Sequence, residues 1–475
     1  MNLPAAPSRI SIDVHVNDAD NGQGRESKIA WNSTVDNTYM SLNGFKLLPG
    51  NTRALTPELM ITGDCPQNNF QTCLRNFIQS FGLRAFRRPL ITEEVNQITS
   101  VANEMTPENA VREVIRAILV SADFLYKPDR AMASSSGAST IDHYTLASRI
   151  SYFLWKSMPD KRLFDLAASG EIANMPGSAF SDLWNSPRTM IGLYDFLAHI
   201  FEISPVEFAL KDAEMYPEFN AQLGKEIDDE TFLFLRYVIF ESQSAVKDLY
   251  QSKKAFLTPG TASIYGVQGI VSNFQEANLG NDRAGILTRS AYLATHAKDA
   301  NSDHIRRAVA IIEDVICSPF TEPPGNFGGE DETPIDPNKT PRQNFEVLTQ
   351  GPSCIGCHIT IDPIGFSFDN FGALGEIRNS LGGKPIDTKG SFGFIGEFSS
   401  GVDLSNQLAE EDRVHMCMAE RILQRVTGLS LERQDFGCSM QSGLEAMRAS
   451  TFSLSETVRG LIYSDASLKR KFGSE

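Results

Sequence analysis

From about residue 67 onward, apolar positions recur at three- and four-residue intervals, the period of helices that bury one face. Thr92-Glu93-Glu94-Val95 begins one run behind the helix-excluding Pro89, with a polar start and an acidic first turn. Thr106 opens a second, with Val111, Val114, Ile115, Ile118 and Leu119 on one side. Leu146, Ile150, Phe153 and Leu154 mark a third. Residues 232–240 are apolar on most faces, which predicts a central helix. Residues 1–60 differ: positions 9–16 alternate apolar and polar as a half-buried strand does, and the Asp/Asn/Gly cluster at 18–22 marks a turn. The pattern predicts a mainly α chain with a small β-rich N-terminal segment.

Two stretches interrupt the helical texture. Residues 131–139 are small and flexible in composition, and residues 318–341 are rich in Pro, Gly and acid. The expected organisation is a β-rich segment over 1–60, a helical domain over 61–320, a Pro/Gly-rich linker over 321–340, and a separate domain over 341–475. No solenoid-type repeat is present.

Composition narrows the function. The chain has 475 residues, 41% hydrophobic and 21% charged, as globular proteins do. Its 43 basic against 59 acidic residues give a net charge of −16, which argues against a nucleic-acid or anionic-membrane surface. No stretch approaches the ~18–20 apolar residues that span a bilayer. The first residues lack the charged and apolar regions of a secretory signal, so the chain reads either as intracellular or as processed.

The seven cysteines carry the chemistry. Cys354-Ile355-Gly356-Cys357-His358 is a C-x-x-C-H run, the attachment signature of c-type haem. The two thiols add to the vinyl groups and the adjoining imidazole becomes the proximal iron ligand. A zinc site would need a second C-x-x-C or a histidine pair, and a redox dithiol would need a thioredoxin-like βαβ pattern; neither surrounds it. The expectation is one covalent haem c held by Cys354, Cys357 and His358. Haem attachment implies a periplasmic or secreted protein, where the other five cysteines meet disulfide-permissive conditions. Cys65 with Cys73 and Cys417 with Cys438 are the pairs suggested by proximity in sequence, which leaves Cys317 over.

The distal ligand is open among His296, His304, His415, Met416, Met418 and Met440. His296 closes a helix-like run before a polar loop, a junction from which a ring can enter a cavity. Arg306 and Arg307 suit bidentate pairing with propionates, a solvated helix start being the alternative. The segment 362–366 reads as a turn that, with Phe368 and Phe371, walls the ring or packs in the core.

In order along the chain, Arg84-Ala85-Phe86-Arg87-Arg88-Pro89-Leu90, Phe124-Leu125-Tyr126, residues 146–155 with Met158-Pro159-Asp160, Gly285-Ile286-Leu287-Thr288 through His296 to Arg306, the block from Cys354 to Phe366, and Cys417 through Cys438 form a series of motifs. The series resembles the mostly uncharacterised multidomain cytochrome-like proteins of planctomycetes and myxobacteria. The chain departs from them in having a single C-x-x-C-H, in Ser302-Asp303-His304 and Arg307, and in Arg425-Val426-Thr427-Gly428-Leu429. The resemblance implies a periplasmic or secreted mono-haem cytochrome with a cytochrome c-like domain over 341–475. The family's recurring histidine at the place of His296 makes that residue the favoured distal ligand. The expected function is single-electron transfer between redox partner proteins, including other cytochrome subunits, in a larger assembly. The alternative is a haem c oxidase or peroxidase whose helical domain covers an open distal site. A third reading keeps haem as a structural staple in an interaction scaffold.

Overall fold

The computed structural model describes residues 70–132, 139–318, 336–352, 354–429 and 437–470. The β-rich segment expected over 1–60 and most of the two interrupting stretches lie outside them. Among the described residues the chain is mainly helical, with only two-stranded antiparallel sheets. It divides into two units, residues 1–179 with 468–475, and residues 180–467.

In the first unit, helices α1 (Phe70–Phe86), α2 (Thr92–Ser100), α3 (Pro107–Leu119) and α4 (Ala122–Leu125) surround one apolar cluster. Val111, Val114 and Ile118 of α3 are fully buried in it, as their spacing predicts. Pro107 sits at the first helical position behind Thr106, where its missing N–H costs nothing. The Arg-rich motif is a structural clamp. Arg88 forms a fork on Glu94 at 2.6 and 2.9 Å, and Arg87 donates to the Tyr126 carbonyl at 2.8 Å, fixing the ends of α2 and α4. Helices α5 (His143–Trp155) and α6 (Lys161–Ser169) follow, capped by Asp142 and Asp160. Residues 139–140 pair antiparallel with 469–470.

Helix α7 (Gly177–Trp184) leads into the second unit, which contains α8 (Pro187–Ile200), α9 (Ala221–Phe240), α10 (Ala245–Gln251), α11 (Pro259–Tyr265), α12 (Ser290–Thr295) and α13 (His304–Ala310). A π-helical turn, Ile311–Val315, continues α13. Then come α14 (Pro341–Leu348), α15 (Ile355–Phe366), α16 (Gly401–Leu408), α17 (Asp412–Thr427), α18 (Gly437–Ala449), α19 (Leu454–Ile462) and α20 (Asp465–Leu468). Helix α9 is the central helix the apolar run predicts, with Phe234, Leu235, Val238 and Ile239 buried. Its Glu230 is also fully buried, paired with Arg289 and accepting a hydrogen bond from the Tyr265 hydroxyl at 3.1 Å, the pairing a buried carboxylate requires.

Of the separate domain expected over 341–475, residues 341–467 share this unit with residues 180–318. Arg307 shows why. It is fully buried and donates to the carbonyls of Phe368, Phe371 and Gly372 at 2.8–2.9 Å and of Leu293 at 3.2 Å. One guanidinium thereby ties α12 and α13 to the segment that follows α15. Desolvation lowers its pKa to about 10, still charged at neutral pH.

Candidate functional site

Thr340 and Gln343 cap α14 reciprocally, side chain to backbone in both directions at 3.2 and 2.9 Å, with Pro341 at the first position. Helix α15 begins directly after Cys354. Its geometry places Cys354, Cys357 and His358 on one face of the first turn, because residues three and four apart are neighbours on a helix. Neither thiol is in a disulfide. Beside them, Val347, Ile355 and Ile359 are exposed apolar residues, with Ile359 at 68%. The segment 362–366, read from sequence as a turn, is the second half of α15, with Pro363 inside the helix.

Asp362 lies one turn after His358 and is buried, its carboxyl 2.8 Å from the imidazole Nδ1. Burial raises the Asp362 pKa, and the bond to His358 opposes that rise. With Nδ1 donating to the carboxylate, the Nε2 lone pair of His358 is left for a metal, the arrangement usual for ligating histidines.

Helix α13 packs along α15 at Gly365, where a Cβ would collide with the His304 carbonyl. The His304 ring is stacked on Phe366 (4.3 Å between centroids, 13° between planes) and meets the edge of Phe345 at 4.4 Å. Phe345 also touches His358 at 5.4 Å, so one phenyl ring contacts both imidazoles. The His304 Nε2 is buried with no hydrogen-bond partner among the described residues. Burial lowers its pKa, Asp369 and Asp303 oppose this, and the nearby His358 adds to it. Asp303 caps α13 by accepting from the Arg306 N–H at 3.2 Å.

The remaining sequence candidates stand in other surroundings. His296 is buried, its Nδ1 2.9 Å from the Tyr292 carbonyl, its ring on Tyr292, and its Nε2 3.6 Å from Glu202. Its neighbours are therefore not those of His358. Arg306 is 65% exposed at its side chain and pairs with Asp303 at 3.6 Å, the solvated helix start that was the alternative reading. Arg307 holds carbonyls rather than a carboxylate. His415 points Nε2 at the Ala409 carbonyl at 2.9 Å and packs on Phe452. Met418 is buried on α17, Met416 on the same helix is half-buried, and Met440 on α18 is half-buried. Phe368 and Phe371 are fully buried core residues that carry the carbonyls Arg307 binds, not a wall beside His358.

The cysteine pairing needs correction. Cys317 bonds Cys417, with Cα atoms 5.4 Å apart across 100 residues, so Cys317 is not the unpaired one and Cys417 is not joined to Cys438. The reason is packing. The π-helical turn before Cys317 lies against α17, where Arg421 reaches Asp314 at 3.0 Å and the Glu313 carbonyl at 2.9 Å. Cys73 is disulfide-bonded; its expected partner Cys65 lies outside the described residues.

Three stretches match family descriptions. Residues 73–129 match PSD5, residues 141–267 match PSD4 and residues 283–381 match PSCyt3, each described as a protein of unknown function (DUF1595, DUF1592 and DUF1588). Together they fit a multidomain, uncharacterised cytochrome family of planctomycete type. The third match includes His304, Arg307 and the whole C-x-x-C-H helix. No curated protein and no solved structure matches the chain.

Proposed function

We propose that the chain is an extracytoplasmic mono-haem c-type cytochrome that carries single electrons between redox partner proteins within a larger assembly. The observation that carries this reading is the first turn of α15. It places two thiols outside any disulfide beside an imidazole whose Nδ1 is held by a carboxylate. The exposed Val347, Ile355 and Ile359 support it, since apolar side chains at this place suit the face of a macrocycle. The short name of the family matching residues 283–381 points the same way.

Haem c, when bound, supplies a one-electron Fe(III)/Fe(II) couple. Cys354 and Cys357 would hold it through two thioether bonds, each thiol adding its sulfur to one carbon of a vinyl group and its hydrogen to the other. No electron is gained or lost in that addition. His358 would supply a nitrogen ligand to its iron, with Asp362 holding the imidazole through Nδ1 at 2.8 Å. The disulfide between Cys317 and Cys417 supports an oxidising compartment. The net charge of −16 suits docking to basic partners.

The test is expression with a c-type maturation system, followed by acid-acetone extraction and a pyridine haemochrome spectrum. The reading expects haem retained on the polypeptide and lost to extraction in Cys357→Ala with Cys354→Ala. Complete extraction from the parent chain would sink it.

A further inference from the structure

Helix α14 stands beside the C-x-x-C-H turn, and one of its side chains occupies space that a macrocycle needs. The Phe345 ring lies 5.4 Å from the His358 imidazole, 4.4 Å from that of His304 and 5.8 Å from Phe366, centroid to centroid. Rings this close leave no gap, so no macrocycle fits between the two imidazoles while Phe345 is there. We propose that α14 is a hinged lid: haem attachment at Cys354 and Cys357 displaces Phe345, and the helix swings away from α13 and α15 on the Thr349–Gly351 connection. The proposal rests on the haem reading of Cys354, Cys357 and His358 and adds to it how this chain makes room.

The first support is how lightly α14 is held. It has eight residues, none of them fully buried. Arg342 donates to the Asp387 and Lys389 carbonyls at 3.2 and 2.7 Å, both at exposed places, and its guanidinium lies 5.1 Å from the centre of the Phe366 ring. Asn344 bonds Asp336 just ahead of the helix, at 2.9 and 3.0 Å, a contact that can travel with it. Segments with few buried apolar contacts and exposed hydrogen bonds are the ones that open locally at little cost.

The second support is what surrounds the lid. Its neighbours are fixed, since Gly365 of α15 rests against the His304 carbonyl and the buried Arg307 of α13 binds four carbonyls. The connection is not. Thr349 closes α14 by donating its N–H to the Phe345 carbonyl at 3.1 Å. The Gly351 carbonyl already belongs to the next helix, accepting from the Cys354 and Ile355 N–H groups at 2.9 Å. A Cβ built on Gly351 would meet nothing within 4 Å. A short, glycine-bearing junction with open space around it can absorb the backbone rotation a hinge requires. A bound group shifts such an equilibrium only through contacts it makes in one of the two states. Here the open position alone leaves room beside His358, so a haem bonded to both cysteines selects it.

The experiment compares two full-length chains by hydrogen–deuterium exchange read by mass spectrometry. One is the haem-loaded parent; the other is Cys354→Ser with Cys357→Ser, which cannot bond haem. In the haem-free variant the α14 amides should be protected. In the loaded parent they should exchange at least about ten-fold faster, because a helix of this length is marginal without packing, while α13 stays unchanged. Phe345→Ala supplies a second reading. In the haem-free chain it removes the ring from His304, Phe366 and His358, and should lower the urea midpoint by about 0.5–1 M. In the loaded chain the same substitution should leave the midpoint where it was, the ring having already left those contacts. Equal protection of α14 in the two chains, or an equal drop of the midpoint in both, would overturn the proposal. A parent from which acid-acetone extracts all the haem would overturn the haem reading and the lid with it, an outcome read before either comparison.

Discussion

Removing the Cys317–Cys417 bond should destabilise the second unit, and the size of the loss follows from its loop. The bond spans 100 residues, and those residues include α14, α15 and the whole C-x-x-C-H motif. Constraining a loop of about 100 residues in the unfolded chain is worth about 4.7 kcal/mol in the chain-entropy account, with measured values ranging from about 2 to 5 kcal/mol. Both cysteines are buried, so replacing them would also remove packing. The cleaner comparison is Cys73→Ala protein, which lacks the disulfide of Cys73, with the Cys317–Cys417 bond oxidised or reduced, so that both sulfurs stay and only that bond is lost; haem thioethers survive the same reductant. Urea unfolding followed by circular dichroism gives the difference. With a slope of about 3 kcal/mol per M for a unit of this size, the midpoint should fall by about 0.7 to 1.6 M. Cys317→Ala with Cys417→Ala should fall at least as far. Coincident unfolding curves for oxidised and reduced protein would refute the argument, because the constraint would then contribute nothing.

Three further expectations follow from single residues. Asp362→Asn replaces the carboxylate on the His358 Nδ1 by a neutral amide, which favours the ferrous state; redox titration should show a midpoint raised by about 50–100 mV, using about 60 mV per 1.4 kcal/mol for one electron, and an unchanged or lowered midpoint would contradict the role given to Asp362. Arg307→Lys cannot reach four carbonyls from a planar fork and should cost about 2–5 kcal/mol in chemical denaturation, with a loss under about 1 kcal/mol counting against the clamp. Asp314, beside Arg421, has its carboxyl pushed up to about 7, chiefly by burial. The folded state therefore binds more protons than the unfolded state between about pH 4 and 7, and the contribution of Asp314 to stability is present below that window and lost as pH rises through it. The stability of the parent relative to Asp314→Asn should accordingly decline from pH 4 to 7 and be flat above, and a difference independent of pH would refute the assignment.

What could be read along the chain was local. The buried face of α3 and the apolar run of α9 follow from spacing within a few residues, and both stand where the pattern puts them. What could not be read depends on which distant segments meet. Cys317 finds Cys417 across 100 residues because the π-helical turn packs on α17, whereas pairing by nearness in sequence pointed elsewhere. Arg306 and Arg307 are adjacent and chemically identical, yet one is largely solvated and the other fully buried, since successive helix positions face about 100° apart. His296 and His304 stand on different helices, and α13, the one that packs along α15, carries His304. One signal was available for this, Gly365, a residue without a Cβ one turn beyond Ile361 on the haem-motif helix, where another backbone approaches.

The central claim, a single haem held covalently by Cys354 and Cys357, is tested most directly by mass spectrometry of the denatured full chain after expression with a c-type maturation system. The account predicts a polypeptide heavier by the mass of one haem, with the added mass on the peptide that contains Cys354, Cys357 and His358. A chain at its polypeptide mass, with both thiols open to alkylation, would contradict it.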